Sequence, residues 1–555
     1  MTKITHDLPS PCLPPAWPEA PDDRPPIVWA IAGTDSGGGA GLAADTRAAA
    51  ALGVHLCPVV AAVTAQNSLG VAAVFPLPPE QLRAQLQALA QDLRPRVIKC
   101  GLLASAAALA CVAQCVDDLR QQEPVALVID PVLGATAGGA AFADANLLQA
   151  YREHLLPRAT LITPNRREAL RLLQWEEQGQ ATPLLAQALR ELGAQAVCIT
   201  GGDDIASTPG AEGLSLDWLD AQLLNAPVQG WLALPRLRNP HHHGSGCTFA
   251  SAAAGALALG YPVPDAVVLA KMLSWSALQN SAAAGAGAGP VRASCGFAED
   301  ARSMPVMGFN DEWAPEASTL ARWTQVLRGE GGEQEEEFDL GLYAITDKAE
   351  RVAELVGLGL RQIQLRIKAQ HTHSELALQY GIQTALESTL GYRRGASQLW
   401  INDHWRLALD AGATALHLGQ EDWAALKPGE RTQILRSGAK LGLSSHSLWE
   451  LARARGLAPH YIACGPVCAT TTKDMPWQPQ GLRNLAWWVR MAGRPVVAIG
   501  GLLAPAQVAD CAAAGAAAAC LVRALDAEAG AGQGLAAFEE AWRQGRARRG
   551  AQPRG

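Results

Sequence analysis

The stretch Ile27–Gly41 reads I-V-W-A-I-A-G-T-D-S-G-G-G-A-G, and an Ala-rich segment, Leu42–Leu52, follows it. The apolar run Ile27–Gly33 predicts a short buried strand, and the segment after the glycines predicts a helix. A strand, a glycine-rich turn and a helix in this order form a ligand-binding corner in α/β sheets. The turn has neither the usual spacing of a dinucleotide-binding fingerprint nor the lysine of a P-loop. By itself it predicts only that a ligand or another backbone comes close.

Apolar and amphipathic segments continue to alternate through the first half of the chain. Further strands are predicted at Leu56–Ala65, Val97–Leu103, Val125–Val132, Leu161–Thr163 and Val197–Thr200, with helices at Glu80–Leu93 and Ala106–Arg120. Apolar strands separated by helices indicate a mostly parallel sheet that is covered on both faces. Such sheets bind ligands at the carboxyl ends of their strands.

Polar side chains gather near these strand ends. The candidates are Asp45, Gln66, Asp130, Asn165 and Glu168, of which Asp45 lies on the first predicted helix. Carboxylate and amide oxygens suit Mg²⁺ and its water ligands, so Asp130, Asn165 and Glu168 are candidates for that role. Taken singly, each of these residues is more typical of a helix cap or a turn.

A second glycine-rich turn lies in His241–Ala252, which reads H-H-H-G-S-G-C-T-F-A-S-A and opens an Ala-rich helix. The first turn of a helix has free N–H groups and a partial positive charge, and Gly244 and Gly246 beside Ser245 let an anion approach closely. The same field favours a thiolate, so we expect the pKa of Cys247 to be lowered. The turn therefore predicts a site that stabilises the negative charge of a phosphate and has a base beside it. The alternative is a glycine-rich loop with a half-buried cysteine, which has the same sequence pattern.

Taken together, these motifs resemble the hydroxymethylpyrimidine/phosphomethylpyrimidine kinases, which are ribokinase-like α/β proteins of thiamine biosynthesis. The matching pieces, in order over residues 27–290, are A-G-T-D-S-G-G-G-A-G-L-A-A-D, V-T-A-Q-N-S, K-C-G-L-L, D-P-V, T-P-N-x-x-E and H-G-S-G-C-T. The resemblance implies that Cys247 is the catalytic base and Gly244–Gly246 the anion hole. It also implies that Asp45 and Gln66 bind the aminopyrimidine. Asn165 and Glu168 would organise Mg-ATP.

The implied reaction is in-line transfer of a phosphoryl group from ATP, first to an alcohol and then to its monophosphate. Ser36 stands where the family usually has proline, and Thr200 stands where it has lysine, so one cation near the phosphates is missing. The segment Ser207–Leu234 also differs from the usual lid. A kinase for pyridoxal or a related vitamin alcohol stays open as an alternative, because related folds share the turn that leads into the helix.

Between the two halves, residues 294–338 predict a linker. The segment contains the acidic, glycine-rich run G-E-G-G-E-Q-E-E-E-F, which is typical of a solvated tether. The predicted organisation is a mobile Pro-rich leader over 1–26, a kinase domain over 27–293, the linker over 294–338, a second domain over 339–546 and a tail over 547–555.

The second half has a more regular pattern than the first. Strands are predicted at Leu342–Thr346, Gln362–Ile367, Leu399–Asn402, Ala415–Leu418, Leu441–Ser444, Tyr461–Cys464, Val496–Ile499 and Ala519–Val522. A helical pattern follows each strand, and eight such units predict a TIM-type (β/α)₈ barrel with its active site at the carboxyl ends of the strands.

The predicted strand ends of the barrel are polar. Gln364, Arg366 and Lys368 occupy alternate positions, so they share one face of a strand and require an anion such as a diphosphate. Asp403 and Asp422 follow neighbouring strands and predict a Mg²⁺ site.

This half resembles thiamine-phosphate synthase over residues 339–526, through Q-L-R-I-K, I-N-D, H-L-G-Q-E-D, G-L-S-S-H, G-P-V-C-A-T-T-T-K and A-I-G-G. The resemblance implies that a pyrimidine diphosphate is held by Gln364, Arg366, Lys368, Asn402, Ser444 and Lys473. It implies that Thr470, Thr472, Gly500 and Gly501 hold thiazole phosphate. Asp403 and Asp422 would bind magnesium. The implied chemistry is dissociative, because pyrophosphate leaves before the thiazole nitrogen captures a pyrimidine methyl cation. Ile367 and Arg523 stand where the family commonly has glutamate and serine.

Composition narrows the classes of function. A net charge of −7 argues against a nucleic-acid surface, which needs a basic excess. No window of ~18 uncharged apolar residues predicts a membrane span. Twelve cysteines without a disulfide framework or zinc-ligand spacing predict a reduced, cytoplasmic protein.

The leading interpretation is a bifunctional enzyme for two consecutive steps of thiamine phosphate synthesis, since the diphosphate made by the first half is the substrate of the second. ATP is the expected co-substrate, Mg²⁺ the expected cofactor and small molecules the expected partners, and homo-oligomerisation stays open. The alternative is that one half is a degenerate binding or regulatory module.

Overall fold

The computed structural model describes residues 8–13, 24–134, 143–202, 211–329, 339–368, 374–390, 397–470, 476–525 and 531–551. The chain divides into two compact units, Met1–Arg328 and Gly329–Gly555. Over the described ranges, no helix has the length and apolar character needed to cross a membrane.

The first unit is built on a ten-stranded sheet with the order β10-β9-β8-β7-β6-β5-β4-β1-β2-β3. Its strands are β1 Ile27–Gly33, β2 His55–Asn67, β3 Gly70–Pro76, β4 Val97–Cys100, β5 Ala126–Ile129, β6 Leu161–Ile162, β7 Val197–Ile199, β8 Leu214–Leu223, β9 Ala226–Pro235 and β10 Val306–Met307. Its helices are α1 Gly41–Leu52, α2 Pro79–Asp92, α3 Ala106–Arg120, α4 Ala145–Ala150, α5 Arg166–Leu173, α6 Thr182–Glu191, α7 Ser245–Ala258, α8 Val263–Gln279 and α9 Ala317–Arg328.

The strands that the apolar runs predict form the parallel centre of this sheet, from β7 to β2. The antiparallel strands β3, β8, β9 and β10 are not predicted from those runs. In β8 the apolar pattern is interrupted by Asp217 and Asp220, which are both buried. Asp217 pairs with Lys271 and Asp220 with Arg190, so ion pairs complete the packing of that strand.

Two predicted boundaries of the first unit are wrong. Within the predicted mobile leader, residues 8–13 pack on the unit, where Leu8 and Leu13 are buried and the Cys12 thiol donates a hydrogen bond to Asp265. Residues 294–328 of the predicted linker belong to the same unit, because Trp323 on α9 is buried in its core. Apolar anchors in otherwise irregular sequence hold both segments in place. The acidic run at 330–338 lies outside the described residues, as do residues 552–555 of the predicted tail. Residues 547–551 of that tail instead continue the last helix, which ends at Ala551.

The second unit is a closed parallel barrel with the strand order β11 to β18, which confirms the predicted TIM-type fold. Its strands are β11 Gly341–Thr346, β12 Gln362–Leu365, β13 Gln398–Asn402, β14 Ala415–Leu418, β15 Lys440–Ser445, β16 Tyr461–Cys464, β17 Val496–Ala498 and β18 Ala518–Leu521. The helices are α10 Glu350–Gly357, α11 Glu375–Leu390, α12 Trp405–Asp410, α13 Gln420–Ala425, α14 Pro428–Arg436, α15 Leu448–Leu457, α16 Gly481–Met491, α17 Pro505–Ala513 and α18 Ala531–Ala551.

Large and small side chains alternate inside the barrel. Tyr343, Trp400 and Tyr461 pack with small residues such as Ala415 and Ala518 in one interior cluster. Tyr461 makes edge contacts with both other rings, at centroid distances of 5.8 Å to Tyr343 and 4.7 Å to Trp400. The described interior of the barrel is therefore filled below its mouth, so the carboxyl ends of the strands are the expected place for a ligand.

Candidate active sites

In the first unit, a cavity of about 480 Å³ opens at the carboxyl ends of the parallel strands. Both predicted glycine turns line it, together with the ends of β5, β6 and β7. The predicted site residues in its wall are Gln66, Asp130, Asn165, Glu168, Gly244, Ser245, Gly246 and Cys247, joined by Thr200. These residues, which are far apart in the sequence, therefore lie around one cavity.

The two glycine turns touch each other at Gly244. Its φ is +84°, and a Cβ at this position would lie 2.2 Å from the carbonyl oxygen of Gly39. Any other residue would be strained and would also push the turns apart. This contact sets the start of α7, so that Cys247 lies in the helix's first turn and faces the first loop.

The expected lowering of the thiol pKa at Cys247 is wrong for this structure. Burial raises the pKa of Cys247 to about 12, and the carboxylates of Asp130 and Asp45 act in the same direction. The ammonium of Lys99 and the backbone N–H of Gly41 oppose this rise without cancelling it. The field of the helix end is thus outweighed by desolvation and by two nearby negative charges.

Lys99 lies in the middle of the buried strand β4 and is fully buried itself. Its Nζ lies 2.9 Å from Asp45 Oδ1 and 3.7 Å from Asp130 Oδ2. Asp45 Oδ1 also accepts a hydrogen bond from Ser251 over 2.7 Å. Asp45 is therefore packed behind the cavity wall and is not a lining residue, whereas its predicted role in binding the pyrimidine requires direct access.

Asn165 and Glu168 form a reciprocal capping box at the start of α5. The Asn165 side chain accepts from the Glu168 N–H over 2.9 Å, and Glu168 Oε2 accepts from the Asn165 N–H over 3.0 Å. The two side chains line the cavity while they cap the helix. The box fixes the orientation of both side chains at the cavity wall.

Gln66 Nε2 lies 3.0 Å from His243 Nε2, and that ring nitrogen lies 3.0 Å from Asp35 Oδ2. Asp35 also accepts hydrogen bonds from the backbone N–H groups of Gly37, Gly39 and Ala40. Burial acts to raise the pKa of Asp35, but the bonds from His243 and the backbone hold it below its ordinary value. The last residue of the histidine run thus joins the two glycine turns.

Lys271 on α8 also lines the cavity, and the motifs do not reveal it. Its Nζ forms a buried ion pair with Asp217 Oδ2 over 2.7 Å. A lysine amid the apolar residues of a buried helix is the signal that could have identified it, because a buried charge requires a partner. The positive charge that is missing at position 200, where Thr200 replaces the family's lysine, is thus present in the same cavity on Lys271 of α8.

At the mouth of the barrel, Asp403 and Asp422 lie side by side as predicted. Burial raises the pKa of Asp403 to about 7, and the charge of Asp422 and a hydrogen bond with it add to the rise, while Arg366 opposes it. Asp403 has a φ of +62°, a left-handed conformation that is uncommon outside glycine. Two carboxylates held this close are stabilised when a divalent cation replaces the shared proton, so the pair fits a Mg²⁺ site.

Gln364, Asn402 and Ser444 belong to a buried polar network that sequence reasoning recovers only in part. Gln364 Nε2 donates to Asn402 Oδ1 over 2.7 Å, and His417 Nε2 lies 3.0 Å from Ser444 Oγ. Burial lowers the pKa of His417 to about 3, helped by the positive charge of Arg366, so the ring is neutral. A histidine inside the apolar strand β14 is the signal for this residue.

The remaining predicted site residues of the barrel either follow the strands or lie outside the described residues. β12 ends at Leu365, so Arg366 and Lys368 follow the strand and do not share one of its faces with Gln364. Arg366 is half-buried and Lys368 is exposed. Thr470, Gly500 and Gly501 follow β16 and β17. Thr472 and Lys473 lie outside the described residues.

Fold and site together define a two-domain enzyme with a kinase unit and a barrel synthase unit. Residues 35–292 match the family model for phosphomethylpyrimidine kinase, and residues 342–525 match that for thiamine monophosphate synthase. A hydroxymethylpyrimidine/phosphomethylpyrimidine kinase of Synechococcus elongatus is 40% identical over 267 residues, which cover 48% of this chain and 96% of that protein. Among solved structures, an ADP complex of Bacillus subtilis pyridoxal kinase is 28% identical with a TM-score of 0.43, covering 48% of this chain and 97% of that one.

Two relatives span both units. A thiamine biosynthetic bifunctional enzyme of Arabidopsis thaliana, described as chloroplastic, is 32% identical over 494 residues, or 86% of this chain and 85% of that protein. A probable enzyme of the same description from Oryza sativa subsp. japonica is 30% identical over 492 residues, or 86% of this chain and 81% of that protein. The chain belongs to this family of bifunctional thiamine biosynthetic enzymes.

Proposed function

We propose that the first unit phosphorylates 4-amino-5-hydroxymethyl-2-methylpyrimidine and then its monophosphate, and that the second unit joins the diphosphate to thiazole phosphate. The products of the second step are thiamine phosphate and pyrophosphate. The observation that carries this proposal is that one chain holds a cavity built on the Cys247 turn and a barrel mouth with the acidic pair Asp403 and Asp422. The first reaction makes the substrate that the second consumes.

In the kinase site, Cys247 is the base that accepts the proton of the substrate hydroxyl. Because its pKa is near 12 in this environment, Cys247 must first give its own proton to solvent before it can act as the base. Positive charge added beside Asp130 and Asp45 would favour this loss. The N–H groups of the Gly244–Gly246 turn then stabilise negative charge that develops on the transferred phosphoryl group. Gln66, held by His243, contributes its carboxamide to the pyrimidine.

Mg²⁺ is the cofactor proposed for this site. Asp130 fits a cation, because its buried carboxylate lines the cavity and shares the ammonium of Lys99, which lies 3.7 Å from its Oδ2, with Asp45. Asn165 and Glu168 would hold the water ligands of the ion. When bound with ATP, the ion would neutralise phosphate charge. Lys271 would place its ammonium toward the same phosphates and so serve where Thr200 cannot.

In the synthase site, Asp403 and Asp422 would hold Mg²⁺, with its remaining ligands from water and the diphosphate, and the ion would stabilise the departing pyrophosphate. The charge of Arg366 opposes the rise in the pKa of Asp403, so its guanidinium is placed to bind the same diphosphate. Gln364, Asn402 and Ser444 would contact the pyrimidine. The thiazole phosphate roles of Thr470, Thr472, Gly500 and Gly501, and that of Lys473, stay predictions from the resemblance.

We propose the cytoplasm as the compartment, which the scattered cysteines support. The test of function is a reaction with purified protein, the pyrimidine alcohol, ATP, Mg²⁺ and thiazole phosphate. Thiamine phosphate is expected from the complete mixture, and from a mixture without ATP when the pyrimidine diphosphate is supplied. No product in either mixture would contradict the proposal, and faster ATP-dependent turnover of pyridoxal would reassign the kinase unit.

A further inference from the structure

A chain of hydrogen bonds crosses the interior of the barrel just below its mouth; we name it the barrel relay. It consists of Asn402, Gln364, Tyr343, Tyr461, His417 and Ser444. The heavy-atom distances are 2.7 Å for Gln364–Asn402, 3.1 Å for Tyr343–Gln364, 2.8 Å for Tyr343–Tyr461, 2.7 Å for His417–Tyr461 and 3.0 Å for His417–Ser444. Five of the members are buried and Ser444, at one end, is half-buried.

The direction of the relay follows from its amide end. Gln364 Nε2 donates to Asn402 Oδ1 over 2.7 Å, since an amide nitrogen donates and an amide oxygen accepts. This fixes the orientation of the Gln364 amide, because its Oε1 must then face Tyr343 and accept the tyrosine hydroxyl.

The remaining protons follow in order. Each tyrosine has one hydroxyl hydrogen, so Tyr461 must donate to the Tyr343 oxygen. The Tyr461 oxygen then accepts from His417, and the proton of this neutral ring must lie on Nδ1. Nε2 carries no proton and accepts the hydroxyl of Ser444. Among the described residues no further hydrogen bond to Ser444 Oγ is present, so this oxygen can accept a hydrogen bond from a ligand.

We propose that the barrel relay fixes Ser444 as a hydrogen-bond acceptor, so that the synthase site selects a ligand with an amino group at this position over one with an oxo group. His417, Tyr461 and Tyr343 act through Ser444 and are positioning residues. The proposal rests on the proposed synthase function for the identity of the ligand, but the proton order of the relay does not.

Gly442 on β15 gives independent support, because it makes room for the relay. Gly442 pairs with Tyr461 on the neighbouring strand. A Cβ at Gly442 would lie 2.4 Å from the Cζ atom of Tyr461 and 2.7 Å from its hydroxyl oxygen. A side chain here would therefore displace the one hydroxyl that joins His417 to Tyr343.

The first test measures the tautomer of His417 directly in the full chain. With ¹⁵N-labelled histidine, the two neutral tautomers have different nitrogen shifts, and a His417→Gln variant assigns the signal. The expected result at pH 7 is a neutral ring with its proton on Nδ1. A proton on Nε2 would overturn the proposal, whatever the outcome of the condensation assay.

The second test measures ligand selectivity. The dissociation constants of the aminopyrimidine diphosphate and of its 4-oxo counterpart are compared in the wild type, in Tyr461→Phe and in Tyr380→Phe, whose ring is 74% exposed. We expect Tyr461→Phe to reduce the preference for the amino ligand about tenfold, because Ser444 can then reorient its hydroxyl. Tyr380→Phe should retain the preference.

The dissociation constant of pyrophosphate is the control for general damage to the site. It should change less than twofold in Tyr461→Phe. Preference for the amino ligand within twofold of the wild type would overturn the proposal. If Tyr461→Phe does not fold, Tyr343→Phe breaks the relay at the next hydroxyl and is judged by the same criterion. Failure of condensation with the Nδ1 tautomer intact would instead contradict the proposed function alone.

Discussion

Lys99 donates a hydrogen bond to Asp45 over 2.9 Å at a point where both side chains are fully buried. Burial alone would lower the pKa of Lys99, but the neighbouring acidic groups raise it above its ordinary value, so the lysine is charged. The ammonium also faces Asp130. One buried cation therefore compensates two carboxylates behind Cys247, and this arrangement sets the charge of the kinase site.

Replacing Lys99 should destabilise the first unit. In Lys99→Met, Asp45 and Asp130 would be buried without their cation, which costs about 3–5 kcal/mol for a broken buried pair. Denaturant unfolding of the full chain, with a probe for each unit, measures the effect. Arg94→Met removes an exposed cation of the same unit and should change stability by less than about 0.5 kcal/mol. A decrease of less than about 1 kcal/mol in the free energy of unfolding of Lys99→Met would show that the ion pair of Lys99 with Asp45 does not stabilise the site.

The reactivity of Cys247 toward iodoacetamide should report its raised pKa. With a pKa of about 12, the thiolate fraction and the alkylation rate should rise about tenfold per pH unit from pH 7 to 9, without a plateau. The unfolded thiol ionises near 9.0, so the stability that Cys247 contributes is present below this pH and is lost between about 9 and 12. Peptide mass spectrometry measures the rate, with the exposed Cys295 as reference. A plateau below pH 8 would mean that the helix field prevails after all.

Lys271 should be needed for phosphate binding in the kinase site. We expect Lys271→Met to lower kcat/KM for ATP by about 10- to 100-fold, as for loss of a charge-assisted contact to a phosphate. Asp217→Asn removes the partner's charge and keeps the lysine, so it should retain most of the activity. Steady-state kinetics of both variants decide the matter. Equal losses in the two variants would assign the pair to stability and not to ATP.

The acidic pair at the barrel mouth should give a pH-dependent stability. The pKa of Asp403 is raised from 3.8 to about 7, so the folded state binds its proton more tightly than the unfolded state does. Its contribution to stability is therefore present below about pH 4 and is lost as the pH rises through 7. Asp403→Asn should raise the thermal midpoint of the second unit at pH 8, in a chelator, and leave it nearly unchanged at pH 4. The same shift at both pH values would contradict a strained carboxylate pair.

Much of the fold follows from local pattern. The eight barrel strands are predicted to within two residues at their ends, because each is an apolar run bounded by turn residues. The parallel strands of the first unit are predicted in the same way. The β8–β9 hairpin is not, since its buried aspartates resemble loop residues until Lys271 and Arg190 are known to face them.

The positions of the sites could be predicted from the sequence, but the protonation states of their residues could not. The glycine turns place Cys247 correctly, yet its pKa depends on Asp45 and Asp130, which approach it only in the folded sheet. His417 and Tyr461 come from different strands, and their hydrogen bond depends on barrel closure. Electrostatic environment and side-chain networks are tertiary properties, whereas a motif records only which residues are available.

We expect the chain to hold two separate active sites that act in succession. Cys247→Ala should abolish phosphorylation and spare condensation of supplied diphosphate, and Asp403→Ala should do the reverse. The most direct measurement is thiamine phosphate formation from the pyrimidine alcohol, ATP, Mg²⁺ and thiazole phosphate by an equimolar mixture of these two full-length variants. We expect product from the mixture and none from either variant alone. Product from a single variant, or none from a mixture in which each variant retains its other activity, would contradict this expectation.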